Sequence, residues 1–273
     1  MQSPSIELLL TYKGFVVAVW LLLLFLGERL LPAAPPPVDR PQEPAGGLRR
    51  LGRNAAFWAI NLVLSPLIVL PVTAWAAANG LGLRPAWGGG WLGLAADVVL
   101  LDFLIYWWHR ANHELPILWR FHQVHHLDRF LDTTTALRFH FGEVLLSAAA
   151  RAGVILLIGF PLASVLLFET LLLLATVFHH SNLRLAPALE RRLAMLVITP
   201  SIHWVHHHAV RSDTDSNYGT LFSFWDRLFG SRSRTVRRPD MAIGVEGQRE
   251  LSFARLLVRP FARRGPMRPM AVR

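Results

Sequence analysis

Three stretches within the first 108 residues of this sequence are apolar over nearly the thickness of a bilayer, and they restrict the fold more than any other feature. They cover residues 14–31, 55–78 and 91–108. Because a bilayer offers no water to an exposed backbone, runs of this length predict membrane-spanning helices. A cleaved signal peptide is the less favoured alternative for the first run, since Glu7 and Lys13 precede it in place of a basic cluster.

A longer apolar region, residues 144–178, exceeds one span and is interrupted by a Gly-Phe-Pro sequence at 159–161. Gly and Pro predict a turn, so this region should form a hairpin of two helices, each about 16 residues and about 24 Å long. A hairpin returns to its starting side. The histidines at its two ends, His140 at one and His179 and His180 at the other, should therefore face the same aqueous layer as His109, which follows the third run.

The charge distribution predicts the orientation and the division into regions. The chain has 28 Lys and Arg against 18 Asp and Glu, a net charge of +10, and the excess gathers at residues 40–53 and after Arg227. Basic segments beside membrane spans favour the cytoplasmic side, which explains them better than nucleic-acid binding does. We expect a membrane anchor region at 1–90 with two spans and a Pro-rich loop, a catalytic domain at 91–232 and a basic tail at 233–273.

Twelve histidines occur in the chain, and none of them lies in the first 108 residues. Eight of them form the patterns HxxxH, HxxHH and a second HxxHH. These eight are His109, His113, His122, His125, His126, His203, His206 and His207. Spacings of three and four place side chains on one helix face, about 5 to 6 Å apart at Cβ, which suits a shared metal ion. A lone histidine is more often a hydrogen-bonded interior residue, but eight at helical spacing would need many partners.

The number and type of these side chains restrict the metal and the class of protein. Eight or nine imidazoles exceed the six positions of one octahedral ion and so indicate two ions, with iron, zinc, copper or nickel as suitable metals. The chain has no cysteine, which excludes thiolate zinc sites, iron–sulfur clusters and disulfides. A membrane metal transporter or sensor and a zinc-dependent hydrolase are the rival classes. Transport predicts ionisable residues spread through several spans, whereas here they gather at one membrane face, and nine imidazoles leave little room for an open hydrolytic site.

The stretch from about Asp102 to Gly230 resembles the fatty acid hydroxylase and sterol desaturase superfamily of membrane di-iron enzymes. The resemblance rests on DFLIYWWHRANHELPILWRFHQVHH, TTTALRFHFGE, FHHSN, TPSIHWVHHH, DSNYG and FWDRLFG. Three histidine boxes in this order, with the first two only nine residues apart, make a specific signature.

The resemblance implies an all-α, integral membrane helical bundle with a cytosolic, histidine-rich di-metal cap. It implies two iron ions, Fe2+ or Fe3+, with dioxygen as co-substrate, and hydroxylation or desaturation of a lipid such as a fatty acyl chain, a sterol-like lipid or an ether lipid. The eight histidines of the patterns would be catalytic residues and metal ligands, and His180 in FHHSN would be a ninth ligand. An external protein or reduced cofactor would donate electrons, because the chain shows no flavin or nicotinamide fingerprint.

Two histidines outside the patterns stay open as ligands. Phe141 follows His140 where many relatives carry proline, which weakens His140 as a candidate, and His179 adjoins the ninth candidate ligand.

Within HWVHHH the four histidines should not be equivalent. At about 100° per residue, and with His203 at zero, His206 lies near −60°, His207 near +40° and His208 near +140°. The first three share a helix face, and His208 should point away from it.

Carboxylates and aromatic residues near the patterns complete the candidate set. Asp102, seven residues before His109, should support the site through a polar or histidine partner, with a solvated Asp at the N-terminal end of the span as the alternative. Weaker candidates for such a role are Glu143, Asp215 and Asn217. Glu169, in the middle of the hairpin, either lines a substrate path or faces a partner helix. We expect an interfacial aromatic belt, in preference to a substrate cage, from Tyr106, Trp107, Trp108 and Trp119.

Overall fold

The structure, a computed structural model, describes residues 4–36, 47–85, 87 and 90–262. Most of the Pro-rich loop and the last part of the basic tail lie outside the described residues. Within the described ranges the helices are α1 (Pro4–Leu30), α2 (Gly47–Leu64), α3 (Leu70–Ala78), α4 (Gly90–Glu114), α5 (Pro116–His126), α6 (Phe141–Ile158), α7 (Leu162–His180), α8 (Pro187–Leu193), α9 (Pro200–His206), α10 (Arg211–Thr214), α11 (Phe224–Leu228) and α12 (Phe253–Val258). A π-helical turn, Ser65–Val69, joins α2 to α3, and 3-10 turns lie at Thr135–Leu137 and Arg259–Phe261.

Four of the described helical segments are long and apolar enough to cross a membrane. They are Gly47–Ala78, which combines α2, the π-helical turn and α3, together with α4, α6 and α7. Helix α1, which carries the first apolar run, is not among these four. Side chains such as Leu67, Leu92 and Leu157 are exposed on the four segments, as expected of surfaces that face lipid. The chain is therefore an all-helical membrane protein with several spans.

The hairpin of α6 and α7 forms where the sequence predicted it. Gly159 ends α6 with a φ of 83°, a left-handed conformation that glycine adopts without a Cβ clash. Gly80, which follows α3, packs so closely on this turn that a Cβ at Gly80 would lie 2.5 Å from the Cα of Gly159. The N–H of Leu81 also donates to the carbonyl of Leu156 at 2.7 Å. These contacts fix the end of the second span against the hairpin turn.

An apolar core joins the spans and positions the cap that carries the histidines. Ala76, Leu101, Ile155 and Phe168 from four different helices are buried together in it. Helix α7 packs against α1, α4 and α9. The cap consists of α5, α9 and the connecting loops, at the end of the bundle where α4 and α7 end.

A buried network of charges attaches the cap to α2. The guanidinium of Arg50 contacts Asp128 at 2.6 Å and Asp132 at 2.7 Å, and the completely buried Arg138 pairs with Glu250 at 2.8 Å. Buried charges require such pairing because each one alone would lose its hydration. The sequence grouped Arg50 with the basic loop at 40–53, but the structure places it in the interior. Arg50 therefore does not count among the exposed basic residues that favour the cytoplasmic side.

Part of the expected basic tail is folded onto the cap. Leu256 of α12 is completely buried against Phe57 of α2 and Leu127, which follows α5. Arg259 donates to the side-chain oxygens of Gln123 and Gln248. The segment that follows the predicted catalytic domain is therefore part of the packed cap as far as residue 262.

Candidate metal centre

The nine histidines that the sequence singled out come from elements that meet at the cap. Helix α4 carries His109 and His113, α5 carries His122, His125 and His126, α7 ends with His180, and α9 carries His203 and His206 with His207 directly after it. Leu115 between α4 and α5 is extended, with φ −91° and ψ 117°, because Pro116 disfavours a helical conformation in the residue before it. The chain therefore turns sharply there and brings the first two histidine patterns together.

The ring nitrogens of these histidines converge into two groups. In each group, one ligand atom per residue lies within 4.8 Å of all the others. The five-histidine group contains His109, His113, His122, His126 and His206, and the four-histidine group contains His125, His180, His203 and His207. The two groups are in contact, since the rings of His126 and His207 stack with centroids 4.2 Å apart.

In both groups the Nε2 atoms approach one another. Nε2 of His180 lies 3.0 Å from Nε2 of His125 and 3.0 Å from Nε2 of His203, and Nε2 of His207 is 3.2 Å from that of His203. In the five-histidine group, the Nε2 atoms of His122 and His126 are 3.2 Å apart.

Hydrogen bonds at Nδ1 orient most of these rings. Main-chain carbonyls accept from four of them: Tyr218 from His109 at 2.8 Å, Ser216 from His206 at 2.7 Å, Thr176 from His180 at 2.7 Å and Arg138 from His125 at 3.3 Å. The carboxylate of Glu143 lies 2.7 Å from Nδ1 of His122. Because a carbonyl can only accept, Nδ1 carries the proton in these rings, and the lone pair of Nε2 is free to bind a metal.

Burial keeps the imidazoles of the cap helices neutral. Desolvation, reinforced by the neighbouring rings, lowers the pKa of His126, His203 and His207 well below its ordinary value. For His206, desolvation outweighs the hydrogen bond to Ser216 and lowers the pKa to about 3. A neutral imidazole is the form that binds a metal ion.

The chemistry of the donor set fits two metal ions. Nε2 of His113 and Nε2 of His206 are buried and have no hydrogen-bond partner within the described residues, which is costly unless another group binds them. Nine neutral imidazoles exceed the six positions of one ion, and their division into two touching groups suits a pair of ions. Nitrogen ligands without thiolate suit iron, so the residues present fit the two irons that the resemblance implies.

The other three histidines have different partners in the described part of the chain. His140 is the N-cap of α6: its Nδ1 accepts from the N–H of Gly142 at 3.0 Å, and its Nε2 donates to the carbonyl of Leu257 at 3.0 Å. His208 contacts the carboxylate of Asp213 at 2.7 Å and lies outside both groups, as its angle on the helix predicted.

His179 is the third of these. It is buried with its ring centroid 4.0 Å from that of His203, yet it belongs to neither group.

The expected supporting carboxylates differ in what they contact. Glu143 lies beside His122, and Asp215 has an oxygen 3.5 Å from Nδ1 of His113. Asp102 contacts no histidine. It accepts from the main-chain N–H groups of Leu221 and Phe222 and from Nε1 of Trp225. These hydrogen bonds hold the loop that follows the DSNYG segment against α4. They do not orient any histidine of the two groups.

The expectation of an interfacial aromatic belt is wrong for two of its four members. Tyr106 is completely buried, and its hydroxyl lies 2.8 Å from that of Ser231. Trp119 is also buried, and its ring centroid lies 5.1 Å from that of His113 and 5.5 Å from that of His126. Sequence reasoning missed Trp119 as a packing partner of the five-histidine group. The signal was available, since Trp119 precedes His122 by three residues on the same helix.

Two cavities reach the histidines from different sides. The span cavity, of about 450 Å³, lies between the spans and is lined by apolar residues such as Val69, Ile105 and Leu172. It reaches members of both groups, namely His109, His122, His125, His180 and His203. The cap cavity, of about 650 Å³, is lined by Trp119 and Arg211 among others and reaches the five-histidine group at His113.

A charged pair joins two of the membrane segments. Arg151 of α6 and Glu169 of α7 both line the span cavity, with Nε and Oε1 3.4 Å apart. The expectation that ionisable residues gather at one membrane face is therefore wrong for this pair. Glu169 faces its partner helix and also lines the cavity, and its place on a substrate path stays a prediction.

These features define a helical membrane protein in which an apolar cavity between the spans opens onto two groups of buried histidines. The family model for fatty acid hydroxylase matches residues 94–231. The chain belongs to the fatty acid hydroxylase family.

Three relatives illustrate the range of similar proteins. The chain is 32% identical to ornithine lipid hydroxylase OlsE of Rhizobium tropici, over 62% of this chain and 50% of that protein. It is 32% identical to alkylglycerol monooxygenase of Homo sapiens, over 53% and 31%, and 33% identical to a cholesterol 25-hydroxylase-like protein of Danio rerio, over 61% and 65%. The match thus spans between about a third and two thirds of the length of these relatives. No solved structure matches the chain.

Proposed function

We propose that this protein is a membrane di-iron oxygenase that uses dioxygen to hydroxylate a lipid. The observation that supports this most strongly is the opening of an apolar cavity between membrane spans onto members of both all-imidazole groups. The relatives bear the names of a hydroxylase and a monooxygenase, which favours hydroxylation over desaturation.

The reaction has a defined balance. A carbon–hydrogen bond of the lipid, one dioxygen molecule, two electrons and two protons give an alcohol and one water. Bound iron would supply the activation of dioxygen, which side chains alone do not provide. The two electrons require an external donor, and the cap cavity at His113 supports an approach to the five-histidine group from outside the spans.

The residues of the chain would hold, orient and shield this centre. The Nε2 atoms of the nine histidines would bind the two ions, while hydrogen-bond partners at Nδ1 keep five of the rings in one tautomer. Apolar residues of the span cavity would admit a lipid chain from the bilayer and exclude water from the reacting carbon. We retain the division into a membrane anchor region at 1–90, a catalytic domain at 91–232 and a basic segment at 233–273 as part of this proposal.

The substrate would be a lipid taken from the bilayer. The relatives are named for ornithine lipid, alkylglycerol and cholesterol, so their names share the lipid class and not one head group. An apolar cavity of about 450 Å³ suits one chain or one ring system of such a molecule.

Isotope labelling tests the proposed reaction. Full-length protein loaded with iron in lipid nanodiscs would receive 18O2, a chemical reductant and a mixture of an alkylglycerol, cholesterol and an ornithine lipid. We expect one lipid to gain a single 18O atom, detected by mass spectrometry, and the variant His203→Ala/His207→Ala to give none. If protein that binds two irons and accepts electrons oxidises none of these lipids, the proposal fails for these lipid classes. Loss of two hydrogens without label would replace hydroxylation by desaturation.

We also propose that the histidine groups face the cytoplasm, because basic segments follow the last span. Reporter fusions after Gly142 and after Arg273 should both read as cytoplasmic. An external reading at either position contradicts this orientation.

A further inference from the structure

The charged pair in the span cavity is partly exposed to that cavity, with about 20% of the Arg151 side chain and 28% of the Glu169 side chain accessible, and it differs from the buried Asp97 of α4. Asp97 in α4 is fully hydrogen-bonded: Arg84 donates to both of its oxygens, Trp87 to one and Ser164 to the other. By contrast, Nε of Arg151 and Oε1 of Glu169 are buried at 3.4 Å from each other without a hydrogen-bond partner. The interior of a membrane protein penalises charges that are not fully satisfied, so such a pair indicates a ligand contact.

The positions of Arg151 and Glu169 on their helices determine how far the pair lies from the histidine groups. Arg151 follows Glu143, the partner of His122, by eight residues, which is about 12 Å along α6. Glu169 precedes His180 by eleven residues, which is about 16 Å along α7. All four residues line the same cavity. A linear molecule in this cavity would therefore contact the pair with one end and the histidine groups with a carbon roughly ten to thirteen bonds away.

The chemistry of the pair selects the group that it would bind. A guanidinium only donates hydrogen bonds, and a carboxylate only accepts them. A hydroxyl both accepts and donates, so one hydroxyl can satisfy Arg151 and Glu169 together. A ligand carboxylate would be repelled by Glu169, and a ligand ammonium by Arg151, and both repulsions are strong in an apolar cavity.

We propose that Arg151 and Glu169 form a specificity site for an uncharged hydroxyl group of the lipid substrate and thereby set which carbon meets the histidine groups. This inference rests on the proposed function for the oxidation step, but the binding site itself does not require turnover.

A binding experiment without metal tests the site directly. Metal-free, full-length protein in nanodiscs would be loaded with radiolabelled 1-hexadecanol, which is then displaced by 1-hexadecanol, hexadecane, hexadecanoate or hexadecylamine. We expect the alcohol to compete at least about tenfold better than the alkane, which is the least that one hydrogen bond to a charged group would give. The variant Arg151→Leu/Glu169→Leu should lose this preference. Ala149→Leu, which adds a leucine to the exposed side of the same helix, is the matched control and should keep it.

A charge-selective variant separates recognition from a merely structural ion pair. Glu169→Gln removes the repulsion of a ligand carboxylate and leaves Arg151 in place, so hexadecanoate binding should rise about tenfold. An ion pair that only joins α6 to α7 would lower the melting temperature in this variant without changing which ligand competes best. Unchanged ligand preferences in both variants overturn the proposal.

Product analysis adds a second readout. With iron-loaded protein, the oxidised carbon of 1-hexadecanol should lie roughly ten to thirteen bonds from the hydroxyl in the wild type and spread over several positions in the double variant. A position that does not change between them contradicts the assignment. If the binding preferences hold but no chain is oxidised, the proposed oxidation fails while the hydroxyl site stands.

Discussion

The two histidine groups use the same ligand type but differ in what supports it. In the five-histidine group, carboxylates stand behind two rings, since Glu143 contacts His122 and Asp215 lies 3.5 Å from His113. In the four-histidine group, only main-chain carbonyls support His125 and His180.

Two rings in each group have no hydrogen-bond partner at Nδ1 among the described residues: His203 and His207 in the four-histidine group, and His113 and His126 in the five-histidine group. The groups differ because a carboxylate oxygen, from Asp215, still lies 3.5 Å from Nδ1 of His113. A carboxylate behind an imidazole raises its basicity as a ligand. We therefore expect the five-histidine group to hold its iron more tightly and the four-histidine group to release its iron first.

Removing one candidate ligand, from either group, should have the largest effect on lipid oxidation. His206→Ala leaves four imidazoles in its group, and His207→Ala leaves three. In each variant the rate of lipid oxidation should fall more than about a hundredfold, because removing a ligand has a larger effect than removing the partner that supports it. Elemental analysis should find about two irons per chain in the wild type and about one in His207→Ala, with an intermediate content in His206→Ala. Equal iron contents in the two variants would remove the distinction between the groups.

The buried charge network behind the four-histidine group should have the next largest effect, on stability. Burial alone would raise the pKa of Asp128, but Arg50 and Arg138 outweigh it and hold that pKa at about 2. Arg50→Leu leaves Asp128 and Asp132 without this partner, so unfolding should become easier by about 3 to 5 kcal/mol.

The measurement for this variant is thermal unfolding in detergent together with iron release. The carbonyl of Arg138 accepts from His125, so iron of the four-histidine group should leave first. Arg49→Leu, at the exposed neighbouring position, is the control and should change little. A melting temperature of Arg50→Leu equal to that of Arg49→Leu would show that the network contributes nothing.

A change at Glu143 should act on one group alone. Glu143→Gln keeps the shape of the side chain but removes the charge beside His122, so the affinity of the five-histidine group for iron should fall about ten- to a hundredfold. Competition with a chelator should show one faster phase of iron release and one unchanged phase. Glu114→Gln, an exposed carboxylate at the end of the same span as His113, is the control and should leave both phases as in the wild type.

The features that could be predicted from the sequence are those that depend on residues close together along the chain. Helical spacing singled out eight of the nine histidines that the structure brings together, and the family resemblance added His180. The Gly-Phe-Pro sequence at 159–161 marked the hairpin turn. The role of these histidines as ligands stays a prediction.

The features that the sequence missed depend on partners far away along the chain. Arg50 looked like a loop charge because Asp128 follows it by 78 residues. The partners of Asp102 come about 120 residues later, in a loop with no periodicity of its own. The division into five and four histidines is also not local, since neighbours such as His125 and His126 belong to different groups.

The smallest effect is expected at His208, and it tests the helical phase on which the assignment within HWVHHH depends. Helix α9 ends at His206, but the N–H of His207 still donates to the carbonyl of His203 at 3.1 Å, so the helical phase continues through His207. His208 turns instead to Asp213, which keeps hydrogen bonds from Ser233 and Thr235 when His208 is removed. His208→Ala should therefore retain both irons and most lipid oxidation and lose only about 1 kcal/mol of stability, measured by thermal unfolding. Loss of iron from His208→Ala, with iron retained in His207→Ala, would mean that the last two histidines of the segment exchange roles when metal binds, and the four-histidine group would then have to be reassigned around His208.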